Sequence, residues 1–166
     1  MKHWIKKHSI FLTLIPVIAM MAMIYWFSAQ NGESSGALSG RVTTWILSVF
    51  APNFHKLPVE KQESIRTALG WIVRKGAHFS EYALLGFFLL LHIQQLRKRI
   101  TIAIPWLWAW LVGTVYAISD ELHQGYVGGR HPAVMDVCID SSGVLTGALF
   151  LAVILYLCRR RSSRSR

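Results

Sequence analysis

The chain has 166 residues, 53% of them hydrophobic and 16% charged, with a net charge of +10, and its mean hydropathy is +0.38. A soluble domain of this size would lack the polar residues needed to cover its surface, so composition points to a membrane protein. Seven Trp and five Tyr support this, because amphipathic rings favour the membrane interface. Cys138 and Cys158 lie in one apolar run about five helical turns apart, so they cannot pair with each other, and no redox compartment follows from them.

The first apolar run, Ser9–Ser28, follows Lys2, Lys6 and Lys7 and ends in Phe27-Ser28-Ala29. It exceeds the roughly 7–15 apolar residues of a cleaved signal, so it reads as an uncleaved membrane anchor. The long connection 29–74 opens with AQNGESSGALSG, whose small residues suit turns, and Ser39 is placed to cap an amphipathic segment over 40–50. Pro52 and Pro58 bound a break. Residues 59–73 then predict a second amphipathic helix, with Ile65, Leu69 and Ile72 on one face and Lys61, Glu63 and Arg66 elsewhere. Both segments are expected to lie on the outer interface and cover the mouth of the bundle. Further apolar runs follow at 76–96, 102–119 and about 137–158, joined by the basic turn Arg97-Lys98-Arg99 and the Gly-rich loop DELHQGYVGGRHP. Each run reaches the roughly 18–20 residues that cross a core of about 30 Å. The expected fold is therefore all-α. It is a single integral membrane domain over 1–166, a four-helix bundle with spans at 9–28, 76–96, 102–119 and 137–158, whose long outer loop carries one or two amphipathic interfacial helices.

Charge predicts the orientation. Three basic residues precede the first span, three fill the turn at 97–99, and Arg159, Arg160, Arg161, Arg164 and Arg166 follow the last span. With these on the cytoplasmic side, both termini are inside and that side holds 11 of the 18 basic residues. The other seven, together with all eight acidic residues, fall outside, so the two sides carry +11 and −1 and account for the net +10. The basic excess thus reports orientation and contact with anionic membrane lipid rather than nucleic acid. The tail RRRSSRSR gives no sufficient reason to expect RNA binding.

The same topology collects ionisable residues from three spans at one depth. Lys75, His78 and Tyr82 form one helical stripe, with Glu81 beside it. Tyr116, Asp120, His123 and Gln124 form another if the third helix continues past Ser119, with Glu121 adjacent. Asp136 and Asp140 are one turn apart and continue into Gly143 and Gly147, a small-residue stripe that permits close helix approach. Arg130 lies just before them. Charges inside a membrane cost about 2.5–3.5 kcal/mol at the centre and less near the ends, so Glu81 and Asp140 need partners.

Taken singly, each residue has an ordinary reading. Arg74 and Lys75 are snorkelling cations, His78 is a packing residue, Glu121 and Gln124 are loop polars, and Tyr82, Tyr116 and Trp106, Trp108 and Trp110 are belt or packing aromatics. As a group they admit three chemistries. His78 or His123 could act as acid or base with Glu81, Asp120 or Asp136, while Lys75, Arg130 and the glycines of 125–129 hold a phosphate or pyrophosphate. Alternatively, His78, Glu81, Asp120, His123 and Asp136 could bind a divalent metal such as zinc or manganese, although the tight ligand motifs are absent. Third, the group could recognise an anionic or glycosylated target without catalysis. No HExxH, GxSxG, P-loop or dinucleotide-binding pattern is present.

The block Phe27-Ser28-Ala29-Gln30, with Ser35 and Ser39, leads into Lys75-Gly-Ala-His78-Phe79-Ser-Glu81-Tyr82 and Leu85-Gly86. Then come Ser119-Asp120-Glu121-Leu122-His123-Gln124, Gly129-Arg130, Asp136, Asp140 and Gly143. In these motifs the chain resembles the VanZ-like family of small bacterial membrane proteins, over about residues 25–150. Two positions depart from the family pattern: His131-Pro132-Ala133, where a small polar residue is expected, and Asp140, where Asn is frequent. The resemblance implies a cell-envelope protein associated with reduced susceptibility to glycopeptides of the teicoplanin type, and it implies no particular reaction. An enzyme reading would be a hydrolase or transferase on a phosphate-bearing lipid. Catalysis would fall to His78, Glu81, Asp120, His123 and Asp136, and ligand contact to Lys75, Tyr82, Glu121, Gln124, Arg130 and Asp140. The expected partners are membrane lipid and a lipid-linked cell-wall precursor or glycopeptide. The alternative is a structural or binding protein in which the same residues form an interhelical ion-pair network.

Overall fold

A computed structural model describes residues 2–30, 32–98, 100–127 and 132–164. All regular structure among them is helical: α1 (Lys2–Ser28), α2 (Gly32–Phe50), a 3₁₀ turn (Phe54–Lys56), α3 (Val59–Leu96), α4 (Pro105–Gln124) and α5 (Val134–Arg164). Helix α3 is the hub, touching α1, α2, α4 and α5, while α4 and α5 also pack on each other.

Three of these helices, α1 over Ile10–Ser28, α3 and α5, are long and apolar enough to cross a membrane. Helix α4 was expected to span over 102–119 and is not among them. Three Trp and a closing Asp120-Glu121 pair dilute its apolar residues. The exterior is apolar all the same, with Phe11, Ile18, Trp26, Val115, Phe150 and Leu157 exposed, as suits helices solvated by lipid.

Burial follows helical stripes. Helix α1 buries Val17, Met20, Ile24 and Ser28; α4 buries Ala109, Gly113, Ala117, Asp120, Glu121 and Gln124. Between α3 and α5 the backbones approach closely. A Cβ on Gly143 would meet the Phe79 carbonyl, one on Gly147 the Ala83 carbonyl, and one on Gly86 the Val144 carbonyl. The glycine stripe read from the sequence is therefore a packing face, and Asp140 sits on it.

The long connection differs from its sequence reading in two ways. Its Gly/Ser-rich opening is helical, because α2 begins at Gly32 rather than at 40. Ser39 is not a cap: it lies inside α2, and its hydroxyl donates to the Gly36 carbonyl at 3.0 Å. Ser39, Thr43 and Leu47 are the buried stripe of α2, and the side of Thr43 meets Gly70 of α3. The small residues thus allow helix packing rather than turning. The second difference is continuity. The predicted amphipathic helix over 59–73 and the predicted span over 76–96 form one unbroken helix of 38 residues. Arg74 and Lys75 do not interrupt it, since a helix accommodates charges that reach toward water. At 1.5 Å per residue α3 is about 57 Å long, well beyond a core of about 30 Å. Its first half therefore stands beyond the apolar part, with Arg66 over the buried Phe54 ring at 5.1 Å.

Candidate functional site

The polar stripes meet at one end of the helix assembly, where α1 and α4 finish and α5 begins. Its centre is Asp120, 3% exposed. One oxygen, Oδ2, accepts from Ser28 Oγ at 2.7 Å, Gln124 Nε2 at 2.9 Å and Tyr82 hydroxyl at 3.1 Å. Gln124 also donates to Ser28 Oγ at 3.1 Å. Three helices are thereby tied to one carboxylate. The geometry needs α4 to run past Ser119, and it does so because Asp120, Glu121 and Gln124 have a buried face to occupy.

Asp140 is still more enclosed, 1% exposed, and neither of its oxygens has a hydrogen-bond partner among the described residues. His78 Nδ1 stands 3.7 Å from its Oδ1, close enough for charge attraction and too long for a good hydrogen bond. One turn earlier on each helix, Lys75 pairs with Asp136, both partly exposed, and the Lys75 ammonium lies 5.9 Å from the centre of the Trp71 ring. Glu121 Oε1 accepts the Ala133 N–H at 2.8 Å, which anchors the start of α5 to α4. The second oxygen of Glu121 and Oδ1 of Asp120 have no partner among the described residues. Buried carboxylate oxygens without donors are costly, and within a membrane such residues usually mark function.

Beside this cluster lies a cavity of about 160 Å³ between the end of α1, α2 and α3. Arg74, His78, Glu81 and Gln30 line it, against apolar walls of Phe27, Leu38, Val42 and Val73. His78 therefore links two environments, the cavity and the buried Asp140.

The structure gathers most of the residues singled out from the sequence, in unequal roles. His78, Glu81, Lys75 and Asp136 are reachable. Tyr82, Glu121, Gln124 and Asp140, expected to contact a ligand, are buried, so direct contact would require the helices to part. His123 stacks on Tyr25 of α1 at 4.7 Å, with 24° between the rings, and is not among the residues that line the cavity. Arg130 lies outside the described residues. Among the described residues, no three of His, Cys, Asp and Glu are arranged to hold a metal ion. Sequence reasoning overlooked Ser28 as a partner of Asp120 and Tyr25 as a platform for His123. It also missed Arg74 as a cavity residue, having read it as a membrane flank. A second polar knot was missed too: Ser141 Oγ accepts from Trp110 Nε1 at 2.9 Å and lies 2.8 Å from Thr114 Oγ1. Small hydroxyls in apolar runs were the available signal for Ser28 and Ser141.

Comparison with known families decides the relationship. The model of the VanZ/LLP1 family matches residues 13–156. The chain belongs to the VanZ/LLP1 family. Searches of curated proteins and of solved structures gave no match. In this VanZ/LLP1 member the matched range takes in Ser28, the cavity, Asp120 and Asp140, and leaves out the lysines that open α1 and the arginines that close the chain.

Proposed function

We propose that this VanZ/LLP1 chain is a four-span protein of the bacterial cell membrane, with both termini cytoplasmic, whose polar end faces outward. There it binds and acts on, or shields, an anionic lipid-linked envelope molecule, and so contributes to resistance to glycopeptides of the teicoplanin type. The observation that carries this reading is the cavity lined by Arg74, His78 and Glu81 against apolar walls. A cavity of about 160 Å³ has room for a phosphate-sized head group, with the lipid chain left outside along the apolar exterior. Arg74 supplies a guanidinium suited to phosphate. Lys75 is engaged by Asp136, so it serves the ligand less directly than its position in the sequence suggested, and Arg130 is proposed as a further cation at the mouth. In the enzyme version, a hydrolase or transferase on a phosphate-bearing lipid, Glu81 and His78 handle the proton at the cavity, with Asp140 Oδ1 standing 3.7 Å behind His78 Nδ1.

A second reading has its own support. The three donors on Asp120 and the Lys75–Asp136 pair tie four helices together, as an interhelical network of a non-catalytic membrane protein would. One experiment separates the two. The chain and its His78→Ala, His123→Ala and Glu81→Gln variants are expressed in a susceptible host, and teicoplanin susceptibility is measured beside membrane abundance. The cavity reading predicts that His78→Ala and Glu81→Gln lose the phenotype at normal abundance. Full phenotype in both would refute it, and loss in step with abundance would favour the network.

A further inference from the structure

The opposite end of the molecule carries a second site of different character. Where α3 ends, a cleft of about 500 Å³ opens between α3 and α5, lined by Leu91, Gln95, Arg97, Lys98, Leu155 and Arg159. Lys98 donates to Gln95 at 2.6 Å. None of the three cations has an acidic partner among the described residues. None is within reach in sequence either, because no Asp or Glu occurs between Glu81 and Asp120 or after Asp140. A preference of cations for the cytoplasmic side explains their sign. It does not explain why three of them, with amide donors, surround a cleft walled by two leucines.

The shape on the membrane side fits this. Ser80, Leu84, Phe87, Leu91 and Gln95 follow one stripe of α3 at three- and four-residue steps, and Lys98 comes next in the turn just past its end. Its upper part lines an apolar groove of about 550 Å³, closed on the α5 side by Gly147 and Phe150. From Lys98 back to Phe88 is ten residues, about 15 Å at the helical rise, which is about half of a 30 Å hydrocarbon core. A phosphate held at Lys98 would therefore leave an acyl chain of one leaflet ending against Phe87 and Phe88.

We propose that the cleft binds the phosphate of an anionic phospholipid, with an acyl chain lying in the α3–α5 groove. The phosphodiester supplies the missing counter-charge to Arg97, Lys98 and Arg159, and the lipid covers the groove of α3 beside its glycine contact with α5. This site is separate from the cavity at Arg74 and does not rest on the function proposed for it.

The test uses the purified full chain in neutral detergent, with bound lipid read by native mass spectrometry. The probes are phosphatidylglycerol, phosphatidylcholine and inorganic phosphate. Phosphatidylglycerol should stay bound, phosphatidylcholine should not, and millimolar phosphate should fail to displace the lipid. Each cation near an anionic lipid is worth about a fivefold change in affinity, so Arg97→Gln with Arg159→Gln should weaken phosphatidylglycerol binding at least about tenfold. The charge-matched pair Arg160→Gln with Arg161→Gln, on the same tail and outside the cleft, should change it less than about twofold. Equal losses in the two pairs, or retention of phosphatidylcholine, would overturn the site. Displacement by phosphate would overturn the lipid as its occupant.

Discussion

The tight α3–α5 contact makes a prediction with an internal control. In Gly86→Ala and Gly147→Ala the new methyl group meets the backbone carbonyls of Val144 and Ala83, and a backbone atom cannot turn away as a side chain can. The helices must separate, loosening the fully buried Leu85, Leu90 and Val144 around them. Overpacking of this kind costs about 1–3 kcal/mol. At Gly40 and Gly76 an added Cβ meets nothing within 4 Å, and alanine should stabilise each helix by about 0.5–1 kcal/mol. That gain is common to all four helical positions, so the same chemical change should differ between the two pairs by the overpacking cost, about 1–3 kcal/mol. Titration of the purified protein with sodium dodecyl sulfate in mixed micelles, followed by circular dichroism, would measure it. Equal stability in Gly147→Ala and Gly76→Ala would refute the close approach of α3 and α5.

Asp120→Ala should be among the most destabilising polar substitutions, since Ser28, Tyr82 and Gln124 all donate to one oxygen. At about 0.6–1.5 kcal/mol per bond the loss is about 2–4 kcal/mol. Asp120→Asn, which keeps an acceptor, should lose about half of that or less, in the same detergent titration. The Lys75–Asp136 pair is partly open to solvent, so a double-mutant cycle with Lys75→Met and Asp136→Asn should return a coupling of only about 0.2–1 kcal/mol. A coupling several times larger would mean that this pair is shielded from water.

Three of the four apolar runs were legible because crossing a membrane demands length and hydropathy, which the sequence carries directly; the fourth, 102–119, is not among the helices long and apolar enough to cross. The glycine stripe after Asp140 was legible for the same reason, since spacing alone puts Gly143 and Gly147 on one face. The start of α2 was not. Gly and Ser serve turns and close helix packing alike, and only the partner helix, here the Gly70 region of α3, decides between them. Nor was the continuity of α3, where Arg74 and Lys75 read as a boundary although a helix carries such charges without breaking. In the polar cluster, the gathering of these residue types at one end of the helices was legible, but rank was not. Asp140 and Glu81 are both one turn inside apolar runs, yet Asp140 is sealed within the α3–α5 contact and Glu81 opens on the cavity. That difference depends on which helix lies opposite, and no spacing within one helix records it.

Everything proposed for the cavity depends on which side of the membrane the acidic end faces. In a chain with Cys138 and Cys158 replaced by Ser, a single cysteine is introduced at the exposed Tyr126 or at the exposed Lys98. Intact cells are then treated with a membrane-impermeant maleimide. The account predicts labelling of Tyr126→Cys in intact cells and of Lys98→Cys only after lysis. Labelling of Lys98→Cys in intact cells, with Tyr126→Cys protected, would invert the topology and contradict the outward-facing site.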